Sequence, residues 1–301
     1  MGAAIALESR VAVRGALVQF EGGGHVAYDE YGDPEGTPVI FCHGWPSSRT
    51  MAQLTDAAAR ELKARIISPD RPGIHGSAFV AGRTLLDWPK LVRALAQHLG
   101  LEEFRLLAIS GGAPYALVTA REMPERVAAV ALVSGAPPIA ELADHSGLWR
   151  LHRWMLALHA SRPELLRKLF WVARPLATTR LSLRARPLLR LALQGMDAEA
   201  LRDRVAFEAC FESSRQAWRA SVDGVIADAE IYAKPWGFRL EDVRVPVAVW
   251  HGTRDRTFSF KLAEEVATRL PDSTFHLIEG AGHYSLPIRY MHDILSDLVS
   301  T

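Results

Sequence analysis

The sequence predicts an α/β protein: one mostly parallel, doubly wound sheet with a helical block inserted in the middle of the chain. Three observations predict it. Short runs that are apolar on both faces recur along the chain, and such strands belong in a sheet covered on both sides. Helical patterns separate these runs, and that alternation builds a doubly wound sheet. The stretch from about 137 to 238 holds no convincing strand.

Val11 to Phe20 and Val26 to Tyr31 read as strands split by Glu21-Gly22-Gly23-Gly24, a hairpin-like start. Pro38 to Phe41, Arg65 to Ser68, Arg105 to Ile109 and Val127 to Val133 follow as short strands. Apolar spacing between them predicts helices over 49–62, 84–99 and 112–122. In the block, Leu and Arg alternate at helical spacing, and Pro163, Pro175 and Pro187 should divide it into short helices. Alternation then resumes with a strand over Val245 to Trp250, a helix over 259–270, a strand over Thr274 to Ile278 and a terminal helix over about 286–299. The expected organisation is therefore a core of residues 1–136 and 239–301, interrupted by a helical cap at 137–238.

Composition bounds the function class. In 301 residues, 35 basic side chains face 34 acidic ones, so no global field draws nucleic acid or a membrane surface. An apolar fraction of 49% is too high for disorder. No apolar run approaches the roughly 18 residues of a membrane-spanning helix. The first residues, Met1 to Ala6, lack the positive region and long apolar stretch of a secretory signal, so a cytoplasmic protein is expected. Cys42 and Cys210 make neither a disulfide framework nor a metal cluster. The expected partner is a small molecule, with no metal and no cofactor.

In open parallel sheets, ligands bind outside the carboxyl ends of the strands, so the residues just after each apolar run are the informative ones. Arg105 to Ile109 is followed by Ser110-Gly111-Gly112 and a helix. A serine on such a tight turn needs small neighbours two residues either side, which Ala108 and Gly112 supply. The turn exposes the hydroxyl beside a helix N-terminus, whose N–H donors suit a developing oxyanion. Val247 to Trp250 is followed by His251-Gly252-Thr253-Arg254-Asp255-Arg256. Taken alone, Asp255 could cap the helix near Ser259 or pair with Arg254 or Arg256. Phe275 to Ile278 is followed by Glu279-Gly280-Ala281-Gly282-His283, where the glycines let the loop present His283 inward.

Joint occurrence outweighs the separate readings. Serine, acid and histidine, each just after a predicted strand, form a nucleophile, an orienting carboxylate and a base. After Val39 to Cys42 comes His43-Gly44-Trp45-Pro46, beside the serine turn. There the Trp45 N–H can join that of Gly111 as an oxyanion donor. His43 reads as a structural hydrogen-bonder and Cys42 as a small buried apolar residue.

At these residues the sequence resembles the α/β-hydrolase superfamily. The matching segments are His43-Gly44-Trp45-Pro46, Asp70 to Ser77, Ala108-Ile109-Ser110-Gly111-Gly112, His251-Gly252-x-x-Asp255 and Gly280-x-Gly282-His283, and they span nearly the whole chain. The resemblance implies Ser110 as nucleophile, Asp255 as acid, His283 as base and a helical cap over the pocket. Ala108 stands where the family usually has glycine, and Arg256-Thr257-Phe258-Ser259 lacks a proline many relatives carry. Asp223 and Asp228 fall too early in the chain to follow the strand that should carry the acid. The His-Gly-Trp-Pro segment and the Asp70–Ser77 loop look most like epoxide hydrolases and dehalogenases, which use an aspartate nucleophile. Ser110 excludes their alkyl-enzyme route. It leaves esterases, lactonases, thioesterases, aminopeptidase-like enzymes, carbon–carbon bond hydrolases and cofactor-free haloperoxidases, among which the fold does not choose. The first expectation is an esterase acting on a small or medium, largely apolar substrate. A non-catalytic receptor or scaffold is the reading from another class, and the intact Ser-Asp-His set argues against it.

Residues 161–190 carry eight basic side chains (Arg162, Arg167, Lys168, Arg174, Arg180, Arg184, Arg186 and Arg190) and one acid, Glu164. They could attract an anionic substrate, a carrier protein or an acidic lipid surface. The favoured reading is a set of solvated helix faces, with Leu165, Leu166, Leu169 and Phe170 turned toward the pocket or core. Trp149, Trp154, Trp171, Trp218 and Trp236 add aromatic bulk, and Trp45, Trp149 and Trp154 are the substrate-binding candidates.

Overall fold

A computed structural model describes residues 13–20, 24–179, 193 and 195–301. Among these residues the strands are β1 (Val13–Phe20), β2 (Gly24–Gly32), β3 (Thr37–Cys42), β4 (Ala64–Pro69), β5 (Phe104–Ile109), β6 (Val127–Val133), β7 (Val247–Gly252) and β8 (Ser273–Ile278). They form one sheet in the order β1-β2-β4-β3-β5-β6-β7-β8. The β1–β2 and β2–β4 pairs are antiparallel, and every pair from β4 to β8 is parallel. Val11 and most of the hairpin turn, Glu21 to Gly23, lie outside the described residues.

Strand alternation divides the core in two, because successive side chains point to opposite faces. On one face Ile40, Cys42, Leu106, Ala108, Val130 and Leu132 pack with Leu91, Val92 and Leu95. On the other, Val39, Phe41, Leu107, Ile109, Ala131 and Val133 pack with Ile294, Leu295 and Leu298. The helices covering the sheet are α1 (Asp56–Glu61), α2 (Trp88–His98), α3 (Ala113–Glu122), and later α9 (Phe260–Arg269), α10 (Ser285–Arg289) and α11 (Met291–Ser300). The helix predicted over 49–62 is a 3₁₀ segment, Arg49–Thr55, running into the short α1. The single terminal helix predicted over 286–299 is two helices, broken at Tyr290, whose ψ of 12° leaves the helical region.

Between β6 and β7 stand α4 (Arg150–Ser161), α5 (Pro163–Thr178), α6 (Gly195–Ala200), α7 (Arg204–Ala220) and α8 (Val222–Tyr232). Asp203 caps α7 by accepting from the Ala206 N–H, and Ser221 caps α8 by accepting from that of Asp223. Pro163 begins α5, as a residue without an N–H can at a first turn. Pro175 does not break the block as predicted but lies inside α5. The i−4 carbonyl facing it, that of Trp171, loses its helical hydrogen bond there, and the helix still runs on to Thr178. Pro187 lies outside the described residues. Leu166 and Phe170 are buried with Ala217, Trp218, Val222, Val225 and Ile226 in a separate apolar cluster. Of the other two residues expected to face the pocket or core, Leu169 lines a cavity, and Leu165 is exposed on the adjacent stripe of α5.

A buried ion cluster joins this insertion to the sheet. Asp228 on α8 accepts from Arg71 Nε at 2.7 Å and from the Tyr115 hydroxyl at 3.0 Å, and it also pairs with Arg83. Arg71 then donates to the carbonyls of His43 at 2.5 Å and Gly44 at 2.8 Å. Removing one member of such a cluster would leave buried charge uncompensated, a loss of about 3–5 kcal/mol.

Candidate active site

The strand order places the site. The chain runs from β3 outward to β4 and then returns across β3 to β5, so the order reverses there and the carboxyl ends of β3 and β5 lie side by side. Cys42 pairs with Ala108 in register. The segments beyond them, His43 to Trp45 and Ile109 to Gly111, therefore leave the sheet together. A Cβ placed on Gly44 would stand 3.5 Å from Ser110 Cβ, and one on Gly111 would stand 3.0 Å from Trp45 Cβ.

Ser110 has φ +53°, a left-handed conformation costly for any residue with a Cβ. The strain has a visible consequence: the chain turns from β5 through Ser110–Gly112 directly into α3. Gly112 makes that turn possible, since a Cβ there would lie 2.0 Å from the Cys42 carbonyl oxygen. Ala108 is accommodated without strain of this kind, fully buried in the first apolar cluster.

His283, just beyond β8, places Nε2 3.0 Å from Ser110 Oγ and Nδ1 2.8 Å from Asp255 Oδ2. The three residues predicted from the strand ends thus meet in one hydrogen-bonded chain. A carboxylate can only accept, so Nδ1 carries the proton and the Nε2 lone pair faces the serine hydroxyl. Asp255 does not cap the following helix, whose cap is Ser259. Its Oδ1 accepts instead from the N–H groups of Thr257 at 2.7 Å and Phe258 at 3.1 Å. Burial alone would raise the Asp255 pKa, but the facing His283 and these donors hold it below the usual carboxylate range. Burial likewise opposes charge on His283, and the Asp255 carboxylate outweighs it, so the imidazole pKa lies above its ordinary value.

Three further histidines and a tyrosine surround this chain. His43 hydrogen-bonds the Gly44 carbonyl through Nδ1 at 3.0 Å, and burial and the Arg71 charge push its pKa down to about 3. His251 lies with Nε2 3.0 Å from the Phe258 carbonyl oxygen and 3.4 Å from Asp255 Oδ2, and burial holds it neutral. His152 stacks on Phe258, and burial followed by the His283 charge lowers its pKa to about 4. Tyr232 donates its hydroxyl to the Gly111 carbonyl at 2.7 Å. His251 opens the segment that carries Asp255, but nothing in the local sequence marks His152 or Tyr232. Only the fold brings them here.

Ser110 and His283 line a cavity of about 430 Å³ whose walls are mostly aromatic and aliphatic, among them Trp45, Phe170, Trp218 and Phe258. They also line a smaller space of about 120 Å³ on the side of Met51, Cys210 and Phe211. Trp149 and Trp154 are on the wall of the larger cavity yet half exposed to solvent. Trp45 donates Nε1–H to the Val225 carbonyl at 3.0 Å, which ties its ring to α8. Trp236 is buried in the sheet's first apolar cluster, away from the cavity. Trp171 is an exposed surface residue. Arg167 pairs with Glu230, and Arg174 donates to the carbonyls of Trp218 and Arg219, while Arg162 and Lys168 are exposed. Arg180, Arg184, Arg186 and Arg190 lie outside the described residues. Among the described residues, no three His, Cys, Asp or Glu side chains are grouped to hold a metal ion.

Comparison with known proteins places this geometry in a family. A family profile described as alpha/beta hydrolase fold matches residues 37–289. The chain is 32% identical over 112 residues to an uncharacterized hydrolase of Bacillus subtilis, a match spanning 37% of this chain and 38% of that protein. It is 28% identical over 250 residues to the pimeloyl-[acyl-carrier protein] methyl ester esterase of Aromatoleum aromaticum, covering 81% of this chain and 90% of the other. Among solved structures, an esterase from Exiguobacterium antarcticum superposes with a TM-score of 0.69 at 20% identity, covering 95% of this chain and 99% of that one. The strand order, the serine turn and the profile match agree, and the chain belongs to the alpha/beta hydrolase fold family.

Proposed function

We propose that the protein is a serine hydrolase that cleaves carboxylic esters of small or medium, largely apolar substrates through an acyl-enzyme. The observation that carries the reading is the unbroken chain from Ser110 Oγ through His283 to Asp255 at the wall of an apolar cavity. In this reading Ser110 Oγ attacks the ester carbonyl while His283 Nε2 takes its proton. The backbone N–H groups of Trp45 and Gly111 stabilise the oxyanion, and Asp255 stabilises the imidazolium. His283 then gives the proton to the departing alkoxide, leaving the acyl group on Ser110. Water enters, gives a proton to His283 and attacks the acyl carbonyl. The acid departs as Ser110 recovers its proton.

A larger and a smaller cavity meeting at Ser110 fit an ester with one bulky apolar part and one small part. The esterase relative in Aromatoleum aromaticum agrees with this bond type. We place the core at residues 1–136 and 239–301 and the cap at 137–238, with the cap helices closing the larger cavity. A cytoplasmic setting suits the two buried, unpaired cysteines, and no helix among the described residues is long and apolar enough to cross a membrane. The partner is then the substrate itself, with neither nucleic acid nor cofactor.

The test compares wild type with Ser110→Ala against a fluorophosphonate probe and a series of p-nitrophenyl esters. The expected result is labelling and turnover in wild type, both lost with the hydroxyl. Labelling or turnover that ignores the substitution, or neither in wild type, overturns the reading.

A further inference from the structure

The loop that carries His283 is held from outside the sheet. Asp197, in α6 of the insertion, directs Oδ1 at three donors: the N–H of Tyr284 at 3.2 Å, the N–H of Ser285 at 2.8 Å and the Ser285 hydroxyl at 2.7 Å. The same Ser285 oxygen accepts from the Gly282 N–H at 2.8 Å. The residues on both sides of His283 are therefore fixed by one network ending on a single carboxylate. Asp197 also packs against the loop backbone: a Cβ on Gly282 would stand 2.5 Å from each of its carboxylate oxygens. That close approach gives Gly282 a physical role that chain flexibility alone does not. The neighbouring surface is gripped as well. Leu201, Phe207 and Cys210 pack with Tyr284 and Ile288, and Phe211 stacks on Tyr284.

We infer that Asp197 is a positioning residue for His283, a carboxylate from the inserted helices that holds the base in place for proton transfer. The inference rests on the hydrolase reading for its kinetic consequences, though not for its structural ones. Two effects follow. The network fixes the imidazole's approach to Ser110, where displacement of about 1 Å can cost about 100-fold in rate. The carboxylate also adds a second negative charge beside an imidazole already facing Asp255, and both favour the charged form. The other groups around His283 do not compete. His251 and His152 are held neutral by burial, and the Tyr284 hydroxyl and the Cys210 thiol are pushed up, the thiol to about 12. The sign is then fixed: without the Asp197 charge, the His283 pKa falls.

Asp197→Ala and Asp197→Asn separate the two effects. Alanine removes both, and kcat for p-nitrophenyl butyrate should fall by roughly 10- to 100-fold with KM little changed. Asparagine keeps an acceptor oxygen without the charge. It should restore most of kcat, while the acid limb of kcat/KM moves to lower pH than in wild type. A limb that stays in place, or an alanine effect confined to KM, overturns the inference. Titration of the His283 ring by NMR in a Ser110→Ala background reads the charge effect without turnover. There Asp197→Asn should again lower the pKa, and an unchanged titration overturns the charge coupling. Failure of the hydrolase reading appears separately, as a wild type that neither labels nor turns over.

Discussion

At the scale of single residues, the site depends on which atoms carry protons. Asp255 can only accept, and its two oxygens are already divided between His283 and the amides of Thr257 and Phe258. Asp255→Asn replaces the acceptor facing Nδ1 with a group that can donate, which favours the wrong imidazole tautomer. Turnover should drop by about 10³–10⁴-fold with little change in fold. Near-normal kcat would move the orienting role to another residue, and His251, 3.4 Å from the same carboxylate, is itself held neutral. The pH profile belongs to this scale too. In the proposed mechanism His283 must be neutral to take the Ser110 proton, and its pKa is raised by Asp255 above that of an ordinary histidine. The acid limb of kcat/KM should therefore lie above about pH 6.5. A limb below that value would contradict the direction of the shift.

At the scale of elements, the turn from β5 into α3 is the most exacting piece of backbone. Gly112 has no room for a Cβ against the Cys42 carbonyl, and that carbonyl belongs to the strand paired in register with β5. Gly112→Ala must push β3 and the elbow apart, and overpacking of this kind costs about 1–3 kcal/mol or more. A urea midpoint close to that of wild type would show that the turn can yield. This turn was readable from the sequence because its determinants are local: an apolar run, a serine and small residues at fixed offsets. Asp255 and His283 were readable for the same reason, each standing a few residues past its own strand. Pro175 shows the limit of local rules. A proline ends a helix only where its local penalty outweighs the packing of the whole helix, and α5 runs through Pro175 to Thr178 with Leu166 and Phe170 buried. Likewise the inward stripe of α5 could not be assigned between Leu165 and Leu166 from spacing alone. Its neighbours in α7 and α8 make that choice.

At the scale of the whole molecule, the contacts that sequence reasoning passed over are those spanning the insertion and the core. Asp197 meets Ser285 across 88 residues of chain, and Asp228 meets Arg71 across 157. Acidic residues on helices carry no local mark of a distant partner, so Asp228 looked like any other cap carboxylate. In the fold it pairs with two buried guanidiniums, one of which holds the carbonyls of His43 and Gly44 next to Trp45. Asp228→Asn should therefore cost about 3–5 kcal/mol in urea unfolding at pH 7. It should also lower kcat in the fraction that remains folded, because the loop proposed to bear an oxyanion donor, His43 to Trp45, loses its tether. The dependence on pH has a definite sign. Burial would raise the Asp228 pKa, but Arg71 and Arg83 more than offset it, so the folded value lies below the unfolded one of about 3.9. The stabilisation is thus fully present above about pH 4 and is lost as pH falls through the folded pKa. Wild type should lose stability steeply below about pH 4, whereas the asparagine variant, already without that contribution, should show a shallower decline. Parallel slopes for the two proteins in acid, or an equal midpoint at pH 7, would mean that the cluster does not join the inserted helices to the sheet in the way its geometry indicates.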